Sequence, residues 1–170
     1  MSKDLPRPVL DVLVVCSGNM CRSPMAAAQL RRTLQEMKVP GIGVRSAGTI
    51  AQAGRPASPE AVEVAEAHGL DITHHRTTPL TPDLLRRADI VLVMEKERHV
   101  DAVRALDPGA IGKTFVLSEF ADDGPEKGET VQDPIGTTYA FYELIFKKMD
   151  AMLDNFVALL KEQNTNDNTE

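Results

Sequence analysis

The sequence predicts an α/β domain built on a parallel sheet. Three observations carry that reading: two near-continuous apolar runs, three hydroxyl–proline pairs that mark helix starts, and the alternation of strand-like with helix-like segments along 170 residues. The runs VLDVLVV (9–15) and DIVLVM (89–94) suit strands buried on both faces of a parallel sheet. GVRSA (43–47) and TFVLS (114–118) are weaker strand candidates. Strands alternating with helices imply parallel pairing through right-handed crossovers.

Ser23-Pro24, Ser58-Pro59 and Thr81-Pro82 each offer a side-chain acceptor at an N-cap, with a proline at the first helical position, where its missing N–H costs nothing. Helices are therefore expected to begin near 24, 59 and 82. The first carries Leu30, Leu34 and Met37 on one stripe, and the second ends at Gly69, a natural C-terminal stop. A further helix is expected over 96–106. A long final helix over 138–162 shows Ile145, Met149, Met152, Leu153, Phe156, Leu159 and Leu160 at helical spacing, a core stripe. The segment 121–134 reads as a polar loop long enough to suspect a function. One domain over 1–162 and a disordered polar tail over 163–170 complete the organisation.

Apolar content of 42% and charged content of 26% are ordinary for a soluble globular protein. A net charge of −6 argues against a nucleic-acid surface or a polybasic membrane anchor. The start, MSKDLPRPVLDVLVV, has a short apolar run broken by Asp11 and reads as neither a signal peptide nor a membrane span. A monomer in the reducing cytoplasm is expected, without a structural disulfide.

Both cysteines lie in VVCSGNMCRSP (14–24), between the first strand and the first helix. In an open α/β sheet ligands bind at the carboxyl ends of strands, where helix-start amides attract anions. A zinc site would need two more ligands from His68, His74, His75 and His99; no second spaced pair exists, and Arg22 would repel a cation. No metal or cofactor is expected. An inert buried cysteine is the common alternative. It explains neither Gly18 and Asn19, which tolerate positive φ, nor the Arg and Ser that close the loop. A nucleophile explains all of them. Cys16 would sit in a cup of amides from residues 17–22, which with the helix N-terminus stabilises a thiolate. The Arg22 guanidinium can hold two oxygens of a phosphoryl group.

C-x-G-N-x-C-R-S-P after a strand resembles the low-molecular-weight protein-tyrosine-phosphatase family, in its bacterial form. SAGT (46–49), HGL (68–70), HR (75–76), LTPDLLRRADIVLVM (80–94) and DP (133–134) fall in that family's order. The resemblance implies a single-domain, four-stranded parallel sheet of flavodoxin-like type with helices on both faces. It implies metal-free hydrolysis of phosphomonoesters through a cysteinyl-phosphate. Cys16 then corresponds to the nucleophile and Arg22 to the phosphate clamp. Asp133 corresponds to the general acid and later base. Residues Ser17, Gly18, Asn19, Met20, Cys21, Arg22 and Ser23 form the phosphate-binding loop. Ser23 would donate a hydrogen bond to the thiolate, Asn19 would hold the loop in shape, and His75 would support Asn19 from behind. His68 and His99 are read as surface or helix-end residues.

The chain departs from the family in two places. Met25-Ala26-Ala27-Ala28 stands where many members carry an acidic residue, and no aromatic flanks the pocket at Ile135, at Gly136 or between Gly48 and Gly54. These differences bear on substrate identity more than on chemistry. Protein phosphotyrosine is the expected substrate, because the Met20 thioether packs on an aromatic face. The alternative is phosphoarginine, whose phosphatases carry at that position a threonine able to bond a guanidinium. Arsenate reductase activity would need further cysteines, and none follows Cys21. A non-catalytic anion-binding module would have no need to keep Cys16, Arg22 and Asp133 together. Cys21 is expected to act as a redox partner of Cys16, trapping a sulfenic acid as a disulfide.

Overall fold

The computed structural model describes residues 9–166. Four strands form one parallel sheet: β1 (Leu10–Cys16), β2 (Ile42–Gly48), β3 (Ile90–Val93) and β4 (Thr114–Val116), in the spatial order β2-β1-β3-β4. The register runs from Leu10 opposite Ile42 to Cys16 opposite Gly48, and from Val12 opposite Ile90 to Val15 opposite Val93. The chain therefore leaves β1 towards β2 on one side and returns to β3 on the other. That reversal opens a crevice at the carboxyl end of β1, the usual place for a ligand in such a sheet.

The helices are α1 (Arg22–Glu36), α2 (Pro59–Ala67), α3 (Pro82–Arg87), α4 (Arg98–Leu106) and α5 (Tyr139–Asn166). Alternation along β1 divides the core. Val12 and Val14 join Leu30, Phe146, Met149 and Leu153 of α1 and α5, whereas Leu13 and Val15 join Leu85 of α3 and Val103 of α4. Both sheet faces are covered, as expected for parallel strands.

Two of the three helix starts are as the sequence implies: Ser58 accepts from the Ala61 amide at 3.3 Å, and Thr81 from the Leu84 amide at 3.2 Å. The third is not. Helix α1 already begins at Arg22, with Cys21 at the N-cap and no side-chain cap, so Ser23 lies inside the first turn. Gly69 ends the second helix in the left-handed conformation, at φ 77°. In α1, Leu30 and Leu34 are buried while Met37 lies just past the helix. The α5 stripe includes Tyr142, Phe146 and Val157, and leaves Leu159 46% exposed. This helix also runs on to Asn166, so 163–166 are helical rather than a disordered tail, and 167–170 lie outside the described residues. After the short β4, Leu117–Phe120 turns as a 3₁₀ segment. Among the described residues no helix is long and apolar enough to cross a membrane.

Candidate active site

The loop from Cys16 to Arg22 curls at the end of β1, and its carbonyls are held from outside. The Thr49 amide donates to the Cys16 carbonyl (2.9 Å), Ile50 to Ser17 (3.0 Å) and Ser58 to Met20 (2.9 Å). His75 Nε2 meets the Asn19 carbonyl at 2.7 Å. A carbonyl only accepts, so His75 carries its proton on Nε2; burial lowers its pKa and favours the neutral ring. Every described peptide is trans, and across a trans peptide N–H and C=O point in opposite directions. Turning these four carbonyls outward turns the N–H groups of Ser17, Gly18, Met20 and Cys21 inward. The result is an anion nest at the start of α1.

Asn19 takes the left-handed conformation at φ 57°, whereas Gly18 does not need it. Gly48 is the glycine the geometry requires: a Cβ there would lie 2.5 Å from the Ser17 carbonyl oxygen and 2.8 Å from the Asn19 nitrogen. The end of β2 can thus press against the loop. Asn19 is buried and fully used. Its Nδ2 donates to Ser23 Oγ (2.7 Å) and Ser46 Oγ (3.0 Å), and its Oδ1 accepts from the Thr78 amide (2.9 Å).

Those bonds orient the next one. Ser23 Oγ accepts from Asn19 and lies 3.0 Å from the Cys16 sulfur, so its proton can be donated to that sulfur when it is a thiolate, which only accepts. Arg22 is 1% exposed and is gripped by Glu95, whose Oε1 lies 3.1 Å from both Nη atoms, and by the Val131 carbonyl at 2.7 Å. Its Nη2 also lies 3.4 Å from Asp133 Oδ2, while its Nε is buried without a partner. That orphaned donor points to an anion as the missing acceptor.

Asp133 is 37% exposed at the pocket rim. Its loop is anchored through the Val131 amide to the Met94 carbonyl (2.8 Å) and through Asn155 to Phe120 and Asp122. Cys16, Ser17, Gly18, Met20, Cys21, Arg22, Ile50, Asp133 and Ile135 surround one pocket of about 180 Å³. Every residue expected in the loop lines it except Asn19 and Ser23, which brace it from behind.

Although Cys21 borders the pocket, its thiol is bonded on the core side of the loop. Its thiol donates to Ser58 Oγ (3.3 Å), Ser58 lies 3.2 Å from Tyr142 Oη as donor, and Tyr142 Oη lies 3.2 Å from the Cys21 sulfur. These three bonds close a ring. Burial pushes the pKa of the Cys21 thiol up, and that of the Tyr142 hydroxyl as well. Both cysteines are unbridged.

Sequence reasoning missed several partners. His99, read as a surface or helix-end residue, is fully buried and bonded to Ser17. His68 does cap the end of α2, but it also stacks on Phe146 and pairs with Glu143 at 2.7 Å. Glu95 and Ile50 gave no motif. Glu95 directly follows Met94 at the end of the DIVLVM run, so the strand-end rule that located Cys16 was its available signal.

The fold and this loop define a class: a parallel α/β domain that presents a cysteine and an arginine to a tetrahedral oxyanion. The model of the family "Low molecular weight phosphotyrosine protein phosphatase" matches residues 11–166, and the chain belongs to that family. A probable low molecular weight protein-tyrosine-phosphatase, EpsP of Ralstonia solanacearum, is 45% identical over 116 residues, 67% of this chain and 77% of its own. A protein-arginine-phosphatase of Geobacillus stearothermophilus is 33% identical over 154 residues, 89% of this chain and 97% of its own. Among solved structures, the tyrosine phosphatase AmsI of Erwinia amylovora superposes with a TM-score of 0.78 at 30% identity, covering 88% of this chain and 91% of that one.

Proposed function

We propose that the protein hydrolyses protein phosphotyrosine in two covalent steps. Cys16 attacks phosphorus as a thiolate; the S–P bond forms while the P–O ester bond breaks. Asp133 gives its proton to the departing phenolic oxygen. Water then attacks phosphorus and yields a proton to the Asp133 carboxylate. The S–P bond breaks, inorganic phosphate leaves, and the thiolate is restored. Arg22 and the inward amides neutralise the phosphoryl oxygens throughout. The observation that carries this reading is the convergence of Cys16, Arg22 and Asp133 on one pocket, with Ser23 Oγ 3.0 Å from the Cys16 sulfur.

The mouth supports an aromatic leaving group. Met20, Ile50 and Ile135 form an aliphatic collar, with Ile50 76% and Ile135 51% exposed despite their apolar character. Apolar surface left open at a pocket rim suits a ring better than a guanidinium. Phosphoarginine is the second reading, favoured by the near full-length similarity to the arginine phosphatase. Specificity constants for matched phosphopeptides, measured also on Met20→Thr, separate the two. Preference of the unmutated protein for phosphoarginine overturns the first reading.

Turnover of a chromogenic aryl phosphate tests the chemistry. Cys16→Ser is expected to lose all measurable turnover while still binding inorganic phosphate; substantial residual turnover contradicts the mechanism. We further infer that Cys21 protects Cys16 from over-oxidation: peroxide converts Cys16 to a sulfenic acid, and Cys21 displaces water to form a disulfide that thiol reductants reopen. Recovery by Cys21→Ser as full as in the wild type, after the same peroxide exposure, contradicts that role.

A further inference from the structure

His99 has no exposed surface, yet the two-step reaction does not use it. Its Nδ1 lies 3.2 Å from the Met94 amide nitrogen and 3.1 Å from that of Glu95. Amides only donate, so Nδ1 is the bare nitrogen and the proton sits on Nε2. That N–H faces Ser17 Oγ at 2.9 Å. Burial pushes the His99 pKa down to about 4, which keeps this neutral tautomer in place at neutral pH.

Ser17 Oγ therefore accepts from His99 and, at a longer 3.4 Å, from Arg22 Nη2. A hydroxyl has two lone pairs and one proton. With both lone pairs committed, the proton is left to donate, and Ser17 lines the same pocket as Cys16, Arg22 and Asp133. We propose that His99 is a positioning residue that fixes the Ser17 hydroxyl as an extra hydrogen-bond donor to the phosphoryl oxygens held between Cys16 and Arg22. The idea rests on the phosphatase reading and adds to it a donor outside the backbone nest. It also gives the β3–α4 loop a double task, since the Glu95 whose amide His99 receives is the residue that grips Arg22.

The test compares wild type, Ser17→Ala, Ser17→Thr, His99→Gln, His99→Asn and the double variant Ser17→Ala/His99→Asn of the full chain. Turnover of an aryl phosphate is measured per active site, with calorimetric titration of inorganic phosphate beside it. Ser17→Ala should lower kcat/KM by about 10- to 100-fold, the worth of a hydrogen bond to a charged group, and weaken phosphate binding. Ser17→Thr, which keeps the hydroxyl, should restore most of the loss. His99→Asn can still accept from the Met94 and Glu95 amides but cannot reach Ser17, and should match Ser17→Ala. His99→Gln can reach Ser17 and should recover. The double variant should be no worse than Ser17→Ala alone. A Ser17→Ala enzyme within twofold of wild type, or multiplying losses in the double variant, overturns the proposal. If His99→Asn does not fold, the Ser17→Ala and Ser17→Thr pair still decides. A wild type that binds phosphate but does not turn over counts against the phosphatase reading alone, because the phosphate titration reads the Ser17 donor directly.

Discussion

The concave and core-facing sides of one short loop treat the same chemical group in opposite ways. On the concave side the Cys16 sulfur lies 3.0 Å from Ser23 Oγ, which accepts from Asn19 and keeps a proton to donate to a thiolate. The inward amides and the start of α1 add positive potential there. On the core side the Cys21 thiol gives its proton to Ser58 inside a closed ring with Tyr142, and burial pushes its pKa up. Both cysteines are nearly inaccessible, at 2% and 4% exposure. Burial alone therefore does not separate them; the partners of their hydrogen bonds do.

The comparison can be broken from the concave side first. Asp133→Asn should lower kcat for an aryl phosphate by roughly 10²–10⁴-fold, the usual worth of a general acid. The loss should shrink when the leaving group is already a good one and needs no proton. An equal loss with good and poor leaving groups would assign Asp133 to holding Arg22 instead.

Acid offers a second way in. His99 faces Glu95 and Asp133, which favour its protonated form, and Arg22 and Arg98, which oppose it; burial outweighs them all. Folded, it takes up a proton only near pH 4, against an ordinary value of 6.5. Between those values the unfolded chain binds the extra proton, so stability falls as pH drops through that window and this contribution is constant above it. His75, also lowered, acts in the same direction. The urea midpoint should fall between about pH 7.5 and pH 5, and fall less in His99→Gln, where only the remaining groups titrate. Equal falls in both proteins would remove His99 from the cause.

The core side should yield the smallest effect. Tyr142→Phe deletes one hydroxyl from the ring and leaves Cys21 and Ser58 short of a partner. A stability loss of about 1–2 kcal/mol is expected from denaturant unfolding, with kcat within twofold of wild type. A large fall in kcat would join the two sides that the hydrogen bonds keep apart.

Local signals explain what was legible in the sequence. The near-continuous apolar runs gave β1 and β3, and hydroxyl–proline pairs gave the starts of α2 and α3, because cap and strand chemistry act over a few residues. The same cap rule failed at Ser23. There a tertiary demand won: the hydroxyl is taken by Cys16 and Asn19, and α1 starts at Arg22 without a side-chain cap. The loop motif also brought Cys16, Arg22 and, through family order, Asp133. His99 and Tyr142 were out of reach because they meet the loop across 82 and 121 positions of sequence, whereas Glu95 had only its place at the end of β3 to mark it. Tyr142 sits on the core-facing side of α5, where nothing local distinguishes a packed ring from one whose hydroxyl has a partner.

Alkylation tests the division between the two thiols most directly. Wild-type protein treated with iodoacetate at neutral pH, with and without inorganic phosphate, is digested and mapped by mass spectrometry. The carboxymethyl group should appear on Cys16, be suppressed by phosphate, and leave Cys21 unmodified over the same time. Comparable labelling of Cys21, or labelling of Cys16 that phosphate does not slow, would contradict the account.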